Sequence, residues 1–142
     1  MADYLEIKNK IISKIEKIKQ VKLVYSYEKQ DLGGYPAVVI LGFNVNDIIE
    51  DTITNLREYI FKVRVFQEIK GVKPSKAEEI IDNLIDILMD TFATDFTLGG
   101  TCEGCWVSAG LGWIDRETEM RVYDLEVTAK KLVSALPIEE ES

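Results

Sequence analysis

The chain has 142 residues, 46% hydrophobic and 30% charged, with 17 Lys+Arg against 25 Asp+Glu and no histidine. That is enough for one domain with one core and too apolar for a disordered chain. A formal charge of -8 disfavours a grip on nucleic acid, because the field repels phosphates; the missing histidine removes the commonest general base and metal ligand.

Asp3 to Gln20 has helical spacing. Leu5, Ile7, Ile11, Ile12, Ile15 and Ile18 form an apolar stripe, Asp3 and Glu6 stand in capping-box positions, and lysines gather toward the C-terminal end. Met1 to Gln20 has no signal-peptide core, and no apolar run reaches the length of a membrane span. Synthesis in the cytoplasm of a host cell, with no membrane partner, is the expectation.

Val21 to Tyr27 alternates as a strand, with Leu23, Tyr25 and Tyr27 on one side. Glu28 to Tyr35 is a loop around Gly33-Gly34. Pro36 to Phe43 is continuously apolar, which predicts a strand covered on both faces. Phe43 to Asn55, rich in asparagine and acids, reads as an extended loop or irregular ribbon. Arg57 to Ile69 is the clearest strand: Tyr59, Phe61, Val63 and Val65 share one face, and Glu58, Lys62, Arg64 and Glu68 the other, with Ile60 and Phe66 as exceptions.

Ser75 to about Thr91 is a second helix, with Ser75 and Glu78 as its capping box and Ala77, Ile81, Leu84, Ile85, Leu88 and Phe92 as its apolar face. Asp95-Phe96-Thr97-Leu98-Gly99-Gly100-Thr101 then marks a junction. Two adjacent glycines tolerate positive φ and reverse the chain into a hairpin. Gly104 to Ile114 predicts a strand with Cys105, Val107, Ala109, Leu111 and Trp113 on one face and, beyond Trp106, only Ser108, Gly110 and Gly112 on the other. Glu119 to Leu132 is the last strand, with Tyr123, Leu125, Val127 and Ala129 inward and Asp124, Glu126 and Thr128 outward. The order α-β-β-β-α-β-β fits an α+β domain over residues 1–136: a mainly antiparallel sheet with two helices on one face. Pro137-Ile138-Glu139-Glu140-Glu141-Ser142 is an acidic tail expected to fray.

No segment carries a recognisable catalytic pattern. Cys102-Glu103-Gly104-Cys105 lacks the further ligands of a zinc site and enters a strand rather than opening a helix, so two cysteines of a hairpin arm are favoured over metal or redox chemistry. Gly33-Gly34 and Gly99-Gly100 lack the lysine and spacing of phosphate loops. Asp47, Glu50 and Asp51 do not have calcium-loop spacing. Trp106 and Trp113, seven apart, fall on opposite faces of a regular strand, Trp113 in the core and Trp106 on the less buried face as a contact anchor. No metal or cofactor is expected, and no enzyme.

The element order and several segments together resemble the tail terminator (tail completion) proteins of long-tailed bacteriophages. The segments are the N-terminal helix, Tyr35-Pro36-Ala37-Val38-Val39-Ile40, the Asp51-Thr52-Ile53-Thr54-Asn55-Leu56-Arg57 approach to the long strand, the second helix, and Thr97-Leu98-Gly99-Gly100-Thr101 leading into the closing hairpin. The resemblance spans about Leu5 to Leu132; Cys102 and Cys105 are no part of it. It implies a structural virion part at the neck of the tail: a homo-oligomeric ring, usually of six, on the last ring of the tail tube. Such a ring stops tube growth, offers a surface to the head connector, and lets DNA pass without specific binding. On that basis Glu58, Lys62, Arg64, Glu68, Asp124 and Glu126 are expected to line the channel. Contacts are expected at Asn44, Asp47, Asp51, Arg57, Leu98, Gly99, Gly100 and Trp106. The alternatives are a head-completion or connector adaptor of the same neck, and a small ligand-binding α+β domain using the sheet face as its pocket.

Overall fold

The computed structural model describes residues 3–28, 32–49 and 54–134. In chain order these form α1 (Asp3–Glu16), β1 (Leu23–Tyr25), β2 (Ala37–Ile49), β3 (Thr54–Glu68), α2 (Pro74–Ala93), β4 (Gly104–Asp115) and β5 (Met120–Ser134). The strands make one sheet in the order β1-β2-β3-β5-β4. β1 runs parallel to β2 and the other pairs are antiparallel. The expected α+β architecture is therefore the observed one. The acidic tail lies outside the described residues. No helix among those described is long and apolar enough to cross a membrane.

Both helices cover the same face of the sheet. Ile7, Ile11 and Ile15 of α1, with Ile18 beyond it, meet Ile81, Leu84, Leu88 and Phe92 of α2 over Val38, Ile40, Phe61, Val63, Leu125 and Val127. Leu5 departs from the expected stripe and is 53% exposed. It stands two residues before Ile7, and positions two apart on a helix point in nearly opposite directions. The predicted capping box of α2 does not form. Lys73 is the N-cap, without a side-chain cap bond, and Pro74 takes the first turn, where its missing N–H loses no helical bond. Glu78 reaches instead to Arg121 of β5, at 2.8 Å.

β2 is buried on both faces, as its apolar run predicts. Val38 and Ile40 enter the main core, while Ala37 and Val39 pack under Leu32, Tyr25 and Phe66 on the far side. Leu32 precedes β2 and packs on that far side. In β1 it is Val24 that touches the main core, so Leu23 and Tyr25 face away from the helices.

Phe43 to Asn55 is not a loop over its described part. β2 continues to Ile49 and pairs with β3 as far as Ile49↔Asn55, with one bulge between Gly42 and Asn44. Its polar composition has a different cause: Gly42 to Asp47 are exposed, because this end of the hairpin projects past the helices. Gly42 marks where the cover ends. Tyr4 stacks on Phe61 with centroids 5.3 Å apart, and a Cβ at Gly42 would fall 1.4 Å from the Tyr4 hydroxyl.

The largest departure is in β4. Its register against β5 shifts between Val107 and Ala109, and a one-residue bulge exchanges the faces of everything beyond it. Cys105 and Val107 point to the core opposite Ala129 and Val127. Past the bulge, Ala109, Leu111 and Trp113 stand opposite Glu126, Asp124 and Val122, on the face away from the helices. Trp113 is therefore not a core residue. It shares the open face with Trp106, which pairs with Thr128. Gly110 and Gly112 turn toward the helices, where Tyr123 lies across them; a Cβ at either would meet that ring at 3.0 Å or less.

Candidate functional site

The face of the sheet opposite the helices is the candidate site, and β3 and β5 form its middle. Pairing sets Lys62 opposite Glu126, Arg64 opposite Asp124 and Glu58 opposite Lys130. Residues directly opposite project from the same face. All six predicted channel residues, Glu58, Lys62, Arg64, Glu68, Asp124 and Glu126, thus share one surface, as the alternation required.

That surface is not a bare row of charges. Arg64 donates to both oxygens of Asp124, at 2.7 and 2.9 Å, a bidentate geometry that is among the stronger ion-pair forms. Asp124 is buried, its side chain 9% exposed, and Lys62 approaches it at 3.9 Å. The bond to Asp124 pushes the Arg64 guanidinium further above its ordinary value, against the opposing effect of burial. Glu28 from the β1–β2 connection reaches Arg64 at 3.8 Å, and Lys130 reaches Glu58 at 3.7 Å. Each of the three cations also covers an aromatic ring: Lys62 stands 4.4 Å from the Phe43 centroid, Arg64 5.3 Å from Trp113, and Lys130 5.5 Å from Trp106. Such contacts contribute about 0.5–1 kcal/mol each at exposed sites. The cations therefore sit between acids and rings, while Glu68 and Glu126 on the same face close no ion pair among the described residues.

Around this lattice lies apolar surface. Phe43 is 54% exposed, Leu111 68% and Trp113 36%, and all three stand on the open face. Phe96, from the turn after α2, stacks on Trp106 with centroids 6.2 Å apart. It does so by lying over Gly104, where a Cβ would meet its ring at 2.6 Å.

The predicted contact residues do not form one patch. Asn44 stands opposite Ile60 on the open face. Asp47 and Arg57 face the other way, on the projecting end of the hairpin, joined by hydrogen bonds of 2.6 and 3.2 Å. The bond to Arg57 holds the Asp47 carboxyl below its usual range. Asp51 lies outside the described residues. Leu98 is 1% exposed and belongs to the core. Its φ of 49° is the backbone conformation that turns the side chain inward at the reversal. Gly99 and Gly100, at φ 67° and 89°, form the exposed tip. Trp106 is half-buried on the open face.

Cys102 and Cys105 are both free and buried. Burial pushes the Cys105 thiol up to about 12 and raises Cys102 as well, the reverse of what a reactive thiol needs. Among the described residues, no group of three or more Cys, Asp or Glu side chains converges as a metal site. The apolar part of the site, Phe43, Leu111 and Trp113, is not among the residues expected from the sequence. The signal that could have found it is the Gly110/Gly112 pair, since glycines within a strand mark a bulge or a close approach.

No family model matches the sequence, and no curated protein matches it. Among solved structures, the chain is similar to one described as the virion of a native gene transfer agent (GTA) particle. That similarity covers 84% of this chain and 82% of the other, at 13% identity and a TM-score of 0.42.

Proposed function

We propose that this chain is a structural virion protein of the tail-terminator kind. It forms a homo-oligomeric ring on the end of a tail tube, stops tube growth, and presents the surface to which the head connector joins, with DNA passing through the ring. Its role is assembly, not catalysis.

The open sheet face carries this reading. A sheet packed by helices on one side only, with Phe43, Leu111 and Trp113 exposed on the other, presents apolar surface of the kind that marks contact sites. The function that we assign to this face differs from the channel lining expected of its charges. A wall that lets DNA slide by repulsion needs acids left unpaired. Here Glu58 and Asp124 are paired to cations, and the cations cover rings. Only Glu68 and Glu126 of the six charged positions close no ion pair among the described residues, and a face with such apolar anchors suits the tail tube protein or the head connector protein better than DNA.

The test is negative-stain imaging of the protein mixed with tail tubes of the particle that encodes it. The expected result is a ring capping one end of each tube, with tube growth arrested. Binding to DNA-filled heads alone would move the protein to the connector side of the neck, and binding to neither would overturn the proposal.

A further inference from the structure

On the helix layer, charge is gathered into rows. Lys10 and Lys14 of α1, with Lys17 just beyond its end, lie along one side. They line a groove of about 840 Å³ between α1 and the Asp95–Gly99 turn, together with Leu5, Glu6, Asn9 and Ser13. Lys14 is engaged with Asp95 at 2.8 Å, which holds the turn against α1 as the groove wall. Lys10 and Lys17 are exposed and neither closes an ion pair among the described residues, although Lys10 adds a weaker attraction to Asp95, which Lys14 already holds. α2 carries the opposite sign. Glu79, Asp82, Asp86 and Asp90 are all exposed along its outer side. Asp82, Asp86 and Asp90 follow at intervals of four, the spacing at which like charges on a helix repel. None of these three closes an ion pair with a cation of the described residues, although Asp82 lies near enough to Arg121 to attract it.

We infer that the groove of α1 receives the acidic side of α2 from a second copy of this chain. The two rows match in length: Lys10 to Lys17 spans about 10 Å and Asp82 to Asp90 about 12 Å at 1.5 Å per residue. Each row also has an apolar member, Leu5 beside the lysines at 53% exposure and Met89 among the acids at 42%. Opposite charges that close no ion pair among the described residues are matched between molecules, and the repulsion along α2 is relieved on contact. The two surfaces differ, so the contact is heterologous and each copy can give one and receive one, which is what ring growth requires. This inference rests on the reading of the chain as a self-assembling part.

Two reversed chains test it: Lys10→Glu with Lys17→Glu, and Asp86→Lys with Asp90→Lys. Lys14 is left in place because it holds the turn. Light scattering after size exclusion, over a concentration series at low salt, measures self-association, and circular dichroism confirms that each variant is folded. Each reversal should weaken self-association about tenfold or more, the combined effect of two exposed ion pairs lost and replaced by repulsion. Mixing the two variants, or placing both pairs of changes in one chain, should restore it, because the reversed surfaces complement one another. Reversals without effect, failed rescue, or a wild-type chain monomeric throughout the series would each overturn the pairing. The same samples on tail tubes separate the two proposals. Capping by variants that associate normally would refute the pairing and keep the terminator reading. Charge-swap rescue without capping would do the opposite.

Discussion

The two faces of this molecule handle charge in opposite ways. On the open sheet face, acids and cations alternate across strands and neutralise one another, as in Arg64–Asp124 and Glu58–Lys130. On the helix layer, like charges are collected: Lys10 and Lys17 on α1; Asp82, Asp86 and Asp90 on α2. Strand pairing explains the first pattern, because neighbours of opposite sign stabilise a ladder and like neighbours weaken it. No such local rule explains the second. Three aspartates at intervals of four make α2 weaker than it needs to be, and the compensating charges stand in a groove facing outward. On the sheet face every cation is engaged within one copy, while the rows on the helix layer are engaged by another under the pairing inferred above.

The largest effect on folding should come from breaking the sheet face. Asp124→Ala removes both bonds to Arg64 and leaves the guanidinium and Lys62 short of their acid. A loss of about 2 kcal/mol is expected, below the range for fully buried pairs because Arg64 is partly solvated. A lowered urea midpoint with unchanged slope would check it. Trp113→Ala should cost about 1 kcal/mol through the lost ring contacts and cation–π pairing, yet it should impair tube capping more than folding. The helix-layer reversals come next. Asp86→Lys with Asp90→Lys should leave the thermal midpoint nearly unchanged while self-association falls, because the new attraction between positions 82 and 86 offsets the repulsion that the two lysines keep at 86 and 90.

Acid should act mildly and on named pairs. Glu78 beside Arg121, Asp95 beside Lys14 and Asp47 beside Arg57 all have carboxyls held below their ordinary values, the hydrogen bond to the cation being the first cause of each. A depressed carboxyl contributes stability above its unfolded-state value and loses it as pH falls through the folded one. Denaturation midpoints should therefore hold steady near neutrality and decline below about pH 4. The decline should be shallower at high salt, since these pairs are partly exposed and screened. The smallest effect belongs to the cysteines. Cys102→Ala with Cys105→Ala should leave assembly unchanged and lower stability by roughly 1 kcal/mol or less. Cys105→Ser is a poorer test than its small size suggests, because it places a hydroxyl in a position that is 0% exposed.

What the sequence disclosed and what it hid follow from one physical distinction. Period-two alternation in Arg57–Ile69 and in Glu119–Leu132 gives β3 and β5, and with them the charged half of the open face. The helices follow from the isoleucine spacing in α1 and the apolar side of α2. The hidden features all depend on a single-residue irregularity or on cover supplied from elsewhere. The bulge after Val107 moves Leu111 and Trp113 to the open face, and periodicity carried across it assigns both wrongly. The far half of β2 looks like a loop because the helices do not cover Phe43 to Asp47, which stay exposed, although β3 still pairs with it. Leu98, in a turn with two glycines, looks exposed and is core, because its positive φ points it inward.

The claim that the open face is a contact surface is tested most directly by hydroxyl-radical footprinting of the protein, free and bound to tail tubes or joined necks. Phe43, Leu111 and Trp113 react with the radical when solvent reaches them, and mass spectrometry reads each. Strong protection of the peptide containing Leu111 to Ile114 on assembly is the result predicted. Oxidation there equal to that of the free protein, with protection elsewhere, would contradict it and return this face to the lining of the channel.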